Sequence, residues 1–209
     1  ARPQLRARIE RAASIGLGWM FDDEGLSIGE GAGHASFSVD GLSDPEAVPW
    51  ASLRNVPAAL VTGSNGKTTT VRLLAACARA HGLRTGYNCT DGVFLDGELL
   101  ASGDFSGPMG ARTVLRDSRV QAAVLEAARG GLRRRGSATN RADVAIVTNL
   151  SLDHMGAYGI DDLDAMAAVK LIVANLVGPS GLVVLNADDP VLVRHAAQVE
   201  APMGWFAID

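Results

Sequence analysis

Seven consecutive residues, Gly63-Ser64-Asn65-Gly66-Lys67-Thr68-Thr69, bring together two glycines, one primary amine and three hydroxyls. Glycines let a backbone approach a polyphosphate closely and turn its N–H groups toward it. In such a cradle the Lys67 ammonium would lie on the β- and γ-phosphates of a nucleotide, and the Thr68 hydroxyl would hold Mg²⁺. An apolar run, residues 58–62, leads into the loop, and a helix-compatible segment leads out of it. That strand–loop–helix setting is what a phosphate-binding P-loop requires; the plain alternative is a glycine turn that caps a helix. One position departs from the general pattern. The glycine expected five residues before Gly66 is Val61.

Lysine is scarce: the whole chain carries seventeen arginines but only two lysines, Lys67 and Lys170. Where arginine serves as the general cation, a retained lysine points to a place that needs a primary amine. Lys170 falls on the apolar stripe of a predicted helix, aligned with Leu163, Val173 and Val177, with no carboxylate one turn away. An unpaired ammonium there would be costly and would shed its proton readily. A neutral amine reacts with CO₂ to form a carbamate, whose negative charge can bind Mg²⁺. The alternative is a lysine at the helix edge whose stem is covered and whose head reaches water.

Glu126 ends the apolar run Ala-Ala-Val-Leu, at a strand tip, where it would be a Mg²⁺ ligand or else a solvated loop acid. His154 lies in Asn149-Leu-Ser-Leu-Asp153-His154-Met155-Gly156, directly after another apolar run, and would serve catalysis or a metal, or else be structural.

These residues need a scaffold that gathers strand tips. From Pro57 onward the pattern alternates strand and helix: strand 58–62, helix 67–81, strand 84–88, a hairpin 93–100 closed by Asp96-Gly97, helix 111–117, strand 120–125 and strand 142–148. A helix capped by Asp161 or Asp162 runs to about 177, followed by strand 182–185, helix 190–199 and a last strand near 203–207. Such alternation predicts an α/β fold, a mostly parallel sheet with helices on both faces, and ligands beyond the carboxyl ends of its strands. The tips carry Gly63 to Thr68, Thr90-Asp91-Gly92, Glu126 and Asn149 to His154, which would converge on one edge. Residues 1–55 read as a small appendage or linker with a helix at 2–14 and short strands at 25–28 and 36–39; residues 56–209 form the nucleotide-binding domain.

The net charge of −4 argues against a general nucleic-acid binder, and no apolar run is long enough to span a membrane. Cys77 and Cys89 fit no zinc spacing and read as thiols of a cytoplasmic protein.

The loop Thr62-Gly-Ser-Asn-Gly-Lys67-Thr-Thr resembles that of the Mur ligase superfamily, which also lacks the first P-loop glycine. Thr148-Asn149 with Asp153-His154 resembles its second motif, and Val184-Leu-Asn186-Ala-Asp-Asp189-Pro190 its later strand–turn–helix motif. Thr90-Asp91-Gly92, Gly103-Asp104 with Ser106-Gly107-Pro108, Ala111-Arg112 and Glu126-Ala-Ala-Arg129-Gly-Gly-Leu132 are most similar to the cyanophycin synthetases of that superfamily. The resemblance covers residues 57–209 and implies the P-loop central domain of an ATP- and Mg²⁺-dependent ligase. By it, an amino-acid or peptide carboxylate is activated as an acyl phosphate and then joined to an amine.

The same resemblance implies that Gly63 to Thr69 bind ATP, that Thr68 holds a first Mg²⁺, that Glu126 ligates magnesium, and that His154 stands at a second metal. Lys170 matches the lysine that many members carbamylate, and Thr90, Asp91, Arg129 and Arg133 are candidate substrate contacts. Arg133 stands where cyanophycin synthetases have an apolar residue; with Arg134 and Arg135 it would grip a carboxylate-rich substrate or simply be solvated. The chain starts without Met and stops at Asp209, before the family's C-terminal domain, so it reads as part of a longer ligase. The alternatives are an ATP-binding module without ligase activity, a small-molecule kinase, or a peptidoglycan-precursor or folylpolyglutamate ligase. Nucleic acid and membrane are not expected partners, and homo-oligomerisation is left open.

Overall fold

The computed structural model describes residues 3–38, 48–128, 137–151 and 162–208. Helix α1 (Pro3–Ser14) precedes a small antiparallel sheet of β1 (Trp19–Asp22), β2 (Gly25–Ile28) and β3 (Ala35–Phe37). The larger unit follows as β4 (Ala58–Thr62), α2 (Lys67–Ala80), β5 (Thr85–Cys89), β6 (Gly92–Leu95), β7 (Glu98–Ser102), α3 (Pro108–Leu115) and β8 (Ala122–Glu126). It is completed by β9 (Ala142–Val147), α4 (Leu163–Lys170), β10 (Val177–Asn186), α5 (Pro190–His195) and β11 (Met203–Phe206).

Its eight strands stand in the order β11-β10-β9-β4-β8-β5-β6-β7. All neighbours are parallel from β11 to β5; β6 and β7 add an antiparallel hairpin at one edge. Central strands β5 and β8 are buried at every residue, as a sheet covered on both faces demands. On one face Val71 and Ala75, one helical turn apart on α2, pack with Val61, Val124 and Ile146. On the other, Ala111, Val114 and Leu115 of α3 share a core with Leu60, Leu125, Val147 and Ala167.

The predicted alternation of elements is present, with two instructive shifts. The helix expected to reach residue 177 is α-helical only from Leu163 to Lys170, and Leu171–Leu176 continue as 3₁₀ turns. Strand β10 begins at Val177, well before the predicted 182, because Gly178-Pro179-Ser180-Gly181, of turn composition, forms a bulge inside the strand: Val177 pairs with Ala142 of β9 and Leu182 with Val144. The Asp96-Gly97 turn is as expected, with both residues at positive φ (52° and 89°).

The first fifty-odd residues have their own apolar core around Ala12, Leu26, Ile28 and Leu53. Charged contacts fasten them to the larger sheet. Arg116, the C-cap of α3, donates to Ser27 Oγ (2.8 Å), Glu24 Oε2 (2.7 Å) and Asp22 Oδ1 (2.8 Å). Glu30, fully buried, accepts from Thr139 Oγ1 (2.9 Å) and Arg141 Nη1 (2.6 Å), and Arg141 also pairs with Asp143.

Burial raises the Glu30 carboxyl above the ordinary glutamate range, and the attraction of Arg141 offsets this only in part. An acid whose folded pKa is raised binds its proton more tightly in the folded state. Its contribution to stability is therefore present below the unfolded pKa and declines as pH rises through the folded one. We expect Glu30→Gln to remove that decline. Urea unfolding of both proteins from pH 4 to 8 would check it, and equal slopes against pH would refute this source.

Candidate functional site

Three strand tips meet at the start of α2. β4 carries the loop from the middle of the sheet, with β8 on one side and β9 on the other, so topology alone brings Glu126 and Thr148-Asn149 to its flanks.

On the β9 side, Asn149 shapes the loop. Its backbone oxygen accepts from Ser64 N and its Oδ1 from Asn65 N, both at 2.9 Å, while Thr148 Oγ1 donates to Asn65 O at 2.6 Å. The Ser64 and Asn65 N–H groups thus face β9 instead of a ligand. The donors left for an anion belong to the first turn of α2, where Lys67, Thr68 and Thr69 have no acceptor one turn back. Gly66 caps that turn in the left-handed region (φ 80°) and supplies no side chain to occupy it. This is an open, partially positive helix end. Lys67 sits over it, Nζ donating to Ser64 O at 2.9 Å.

On the β8 side, Thr68 Oγ1 donates to Glu126 Oε2 at 2.8 Å. Glu126 is 1% exposed, and its other oxygen, Oε1, is buried with no hydrogen-bond partner among the described residues. That burial raises its pKa, against the opposing effects of the Thr68 hydroxyl and the Lys67 ammonium. Asn88 steadies this tip from β5, donating to Glu126 O (3.1 Å) and Phe105 O (2.7 Å). Thr90 Oγ1 stands 3.2 Å from Thr68 Oγ1, and the Asp91 carboxylate pairs with Arg72 of α2 at 2.7 Å.

From the far side comes Lys170, at the end of α4. It is 3% exposed and its Nζ donates to Gly63 O at 2.7 Å. The lysine is buried as its place on the apolar stripe implied, but the expected unpaired ammonium has the loop's own carbonyl as acceptor. A second motif also closes on the site: Asp189 caps α5 through Val191 N and Leu192 N, and its Oδ2 accepts from Leu150 N at 2.6 Å.

The structure therefore gathers Gly63 to Thr69, Thr90, Asp91, Glu126 and Lys170. His154, Arg129 and Arg133 lie outside the described residues. Asn88 was not singled out by the sequence, and Thr148 and Asn149 were marked as a strand-tip motif without an assigned role; they bear the signal that picked out Glu126, a polar group directly after an apolar strand. Among the described residues no three His, Cys, Asp or Glu side chains form a metal cluster. A carboxylate oxygen lacking a partner beside a threonine hydroxyl fits instead a hard cation that completes its shell with phosphate oxygens.

The family model for the Mur ligase middle domain matches residues 61–204. The chain belongs to that family. Among curated Mur-type relatives, a cyanophycin synthetase of Synechocystis is 44% identical over 161 residues, covering 77% of this chain and 18% of that protein. The UDP-N-acetylmuramoyl-L-alanyl-D-glutamate–2,6-diaminopimelate ligase of Chlamydia pneumoniae is 33% identical over 155 residues, covering 71% and 31%. The chain spans less than a fifth of the length of the cyanophycin synthetases it matches. Of solved structures, a UDP-N-acetylmuramoyl-L-alanyl-D-glutamate–2,6-diaminopimelate ligase superposes with TM-score 0.60 at 25% identity, over 73% of this chain and 32% of that one. A Mycobacterium tuberculosis folylpolyglutamate synthase complexed with ADP and AMPPCP shares the fold, with TM-score 0.52 at 20% identity over 72% and 42%. Among the described residues no helix is long and apolar enough to cross a membrane.

Proposed function

We propose that this Mur ligase domain is the ATP-binding part of a carboxylate–amine ligase of the cyanophycin synthetase type. The observation that carries the reading is the buried, partnerless Glu126 Oε1 beside Thr68 at an uncapped helix N-terminus. The sequence likeness to cyanophycin synthetases supports it.

In this reading the first turn of α2 and Lys67 hold the nucleotide's phosphates, and Thr68 and Glu126 are the Mg²⁺ ligands. Mg²⁺, when bound, neutralises charge on the transferring phosphoryl group. An oxygen of the amino-acid or peptide carboxylate attacks the γ-phosphorus and ADP departs, leaving an acyl phosphate. The nitrogen of the amine then attacks the acyl carbon; the C–O bond breaks, phosphate leaves, and the nitrogen gives up its proton. Lys67 would follow the γ-phosphoryl charge through the first step, and the loop's task is chiefly positioning.

Lys170 enters the proposal as a carbamate, with His154 at a second cation. A carbamate keeps one N–H, so the hydrogen bond to Gly63 O is compatible with the modification. Intact-mass measurement in bicarbonate should find the added CO₂, and its absence in the ATP-bound protein would count against it. The free thiols Cys77 and Cys89 support a reducing compartment, the cytoplasm, which cell fractionation would check.

The test is phosphate release from ATP by the protein that carries this chain, screened with amino acids and short peptides. Release is expected only when a carboxylate and an amine are both present. Tight ATP binding with no release under any pairing would instead favour a nucleotide-binding module without ligase chemistry.

A further inference from the structure

At the end of α2 away from the phosphate loop lies a groove that the proposed ligase chemistry does not use. It holds about 690 Å³, within the range of ligand sites, and its lining includes Arg79, Ala80, Leu83, Arg84, Asp96 and Gln121. Helix α2 runs fourteen residues, from Lys67 to Ala80, so the groove stands about 20 Å from the first turn that faces the phosphates. We propose that this groove binds an acidic peptide, whose carboxylates pair with Arg79 and Arg84.

The polar atoms of the lining decide the chemistry of the ligand. The backbone N–H groups of the loops that wall the groove are already taken: Gly82 donates to Arg79 O, Leu83 to Ala78 O, Arg84 to Gln121 Oε1, Asp96 to Thr85 O and Gln121 to Arg84 O. Side-chain donors remain. The Arg79 guanidinium has no acceptor among the described residues, and Arg84 has only Asp96, its Nε 3.7 Å from Oδ2. Gln121 uses its amide oxygen on Arg84 N, which leaves its NH₂ uncommitted among the described residues. A set of donors without acceptors calls for an anionic, acceptor-rich ligand. Each guanidinium fork takes a carboxylate through two parallel hydrogen bonds, and the Gln121 NH₂ suits a peptide carbonyl. Phosphates fit less well, because no N–H of these loops is left to cradle them. The last carbonyls of α2 also make this end partially negative, and Asp96 adds a full charge.

The backbone holds both arginines in place. A methyl group at Gly97 would stand 2.7 Å from Arg79 Nη1, so the guanidinium lies against the Asp96-Gly97 turn and glycine leaves it room. Arg84 and Gln121 lock each other, Arg84 N donating to Gln121 Oε1 at 2.9 Å and Gln121 N to Arg84 O at 2.7 Å. Asp96 is fixed in turn, its Oδ1 accepting from Thr85 N at 3.0 Å. The two cations therefore leave the backbone from fixed points on the α2 side and the β5 side of the groove, which suits an extended chain with spaced carboxylates.

The experiment follows the fluorescence anisotropy of a dye-labelled peptide of alternating Asp and Gly added to the 209-residue chain, without ATP or Mg²⁺. Arg79→Gln and Arg84→Gln should each weaken binding by about threefold to fivefold, the upper range for exposed ion pairs, and the double variant by about tenfold or more. Arg6→Gln, an equal loss of charge on the exposed side of α1, should bind like wild type. The same peptide with Asn in place of Asp should not bind, and wild-type affinity should fall as salt rises. Thermal melting checks that the variants, all at exposed positions, are folded. No binding by wild type, equal binding of the Asn peptide, or full affinity in the double variant overturns the proposal. Stronger competition by inorganic phosphate or a single-stranded oligonucleotide than by unlabelled peptide also overturns it, and gives the groove to phosphates. Since the assay contains no nucleotide, its outcome is separate from whether the protein releases phosphate from ATP.

Discussion

Glu126→Gln is expected to cut turnover sharply and at the same time raise the melting temperature. The side chain is 1% exposed, so its charge has been removed from water, and one of its two oxygens receives nothing in return. The direction of its pKa records the same cost. Glutamine keeps an oxygen for the Thr68 hydroxyl and removes the charge, although its amide must find an acceptor where Oε1 now stands. If relief of the charge outweighs that cost by about 1 kcal/mol, the melting temperature rises by about 2–4 °C for a chain of this size. Turnover should fall by about 10²–10³-fold, the loss typical of a site stripped of a group that stabilises transition-state charge. Thermal unfolding and phosphate release, run on the same preparations, would check both signs. A variant that is less stable and still active would mean that Glu126 is a structural acid.

Opposite signs would describe a site that gives up stability to keep the proposed cation ligand in place. The same logic explains what the sequence could reveal. An apolar strand ending in a carboxylate or a Thr-Asn pair is visible as a break in composition, and parallel topology fixes where such tips must lie. The strand at 58–62 and the start of α2 at Lys67 were therefore legible residue for residue. The scarcity of lysine drew attention to Lys170, and the structure seats it against Gly63 O.

What the sequence left obscure depends on partners far along the chain. Nothing in the composition near Glu30 announces that its acceptors will be served by Thr139 and Arg141, more than a hundred residues later. The division of labour inside the loop was hidden for a similar reason. Which N–H groups face a ligand is decided by Asn149, a residue on a neighbouring strand tip. The end of α4 at Lys170 is also a tertiary effect, because residues 171–176 keep a helical apolar pattern while tightening to 3₁₀ geometry.

The two loop glycines should separate fold from function when each is replaced by alanine. At Gly63, φ is 143° and a methyl group would overlap the Thr148 hydroxyl, with the Thr148 Cβ and N close behind. Thr148 cannot easily retreat, since its Oγ1 donates to Asn65 O and its backbone N to Thr62 O. Backbone strain of about 1–3 kcal/mol and overpacking of about 1–3 kcal/mol both apply, so Gly63→Ala should lose about 4 kcal/mol. At Gly66, φ is 80° and a methyl group would meet nothing within 4 Å. Only the left-handed backbone resists it, at about 1–2 kcal/mol. Yet that empty space lies over the uncapped turn where the phosphates would pass, so Gly66→Ala should lose about a hundredfold in ATP affinity while remaining folded. Urea unfolding and calorimetric ATP titration would rank the two variants in opposite orders. ATP affinity unchanged in Gly66→Ala would remove the phosphates from this turn. Equal stability losses would mean that Thr148 yields, and that the wall it forms against the loop is softer than its hydrogen bonds imply.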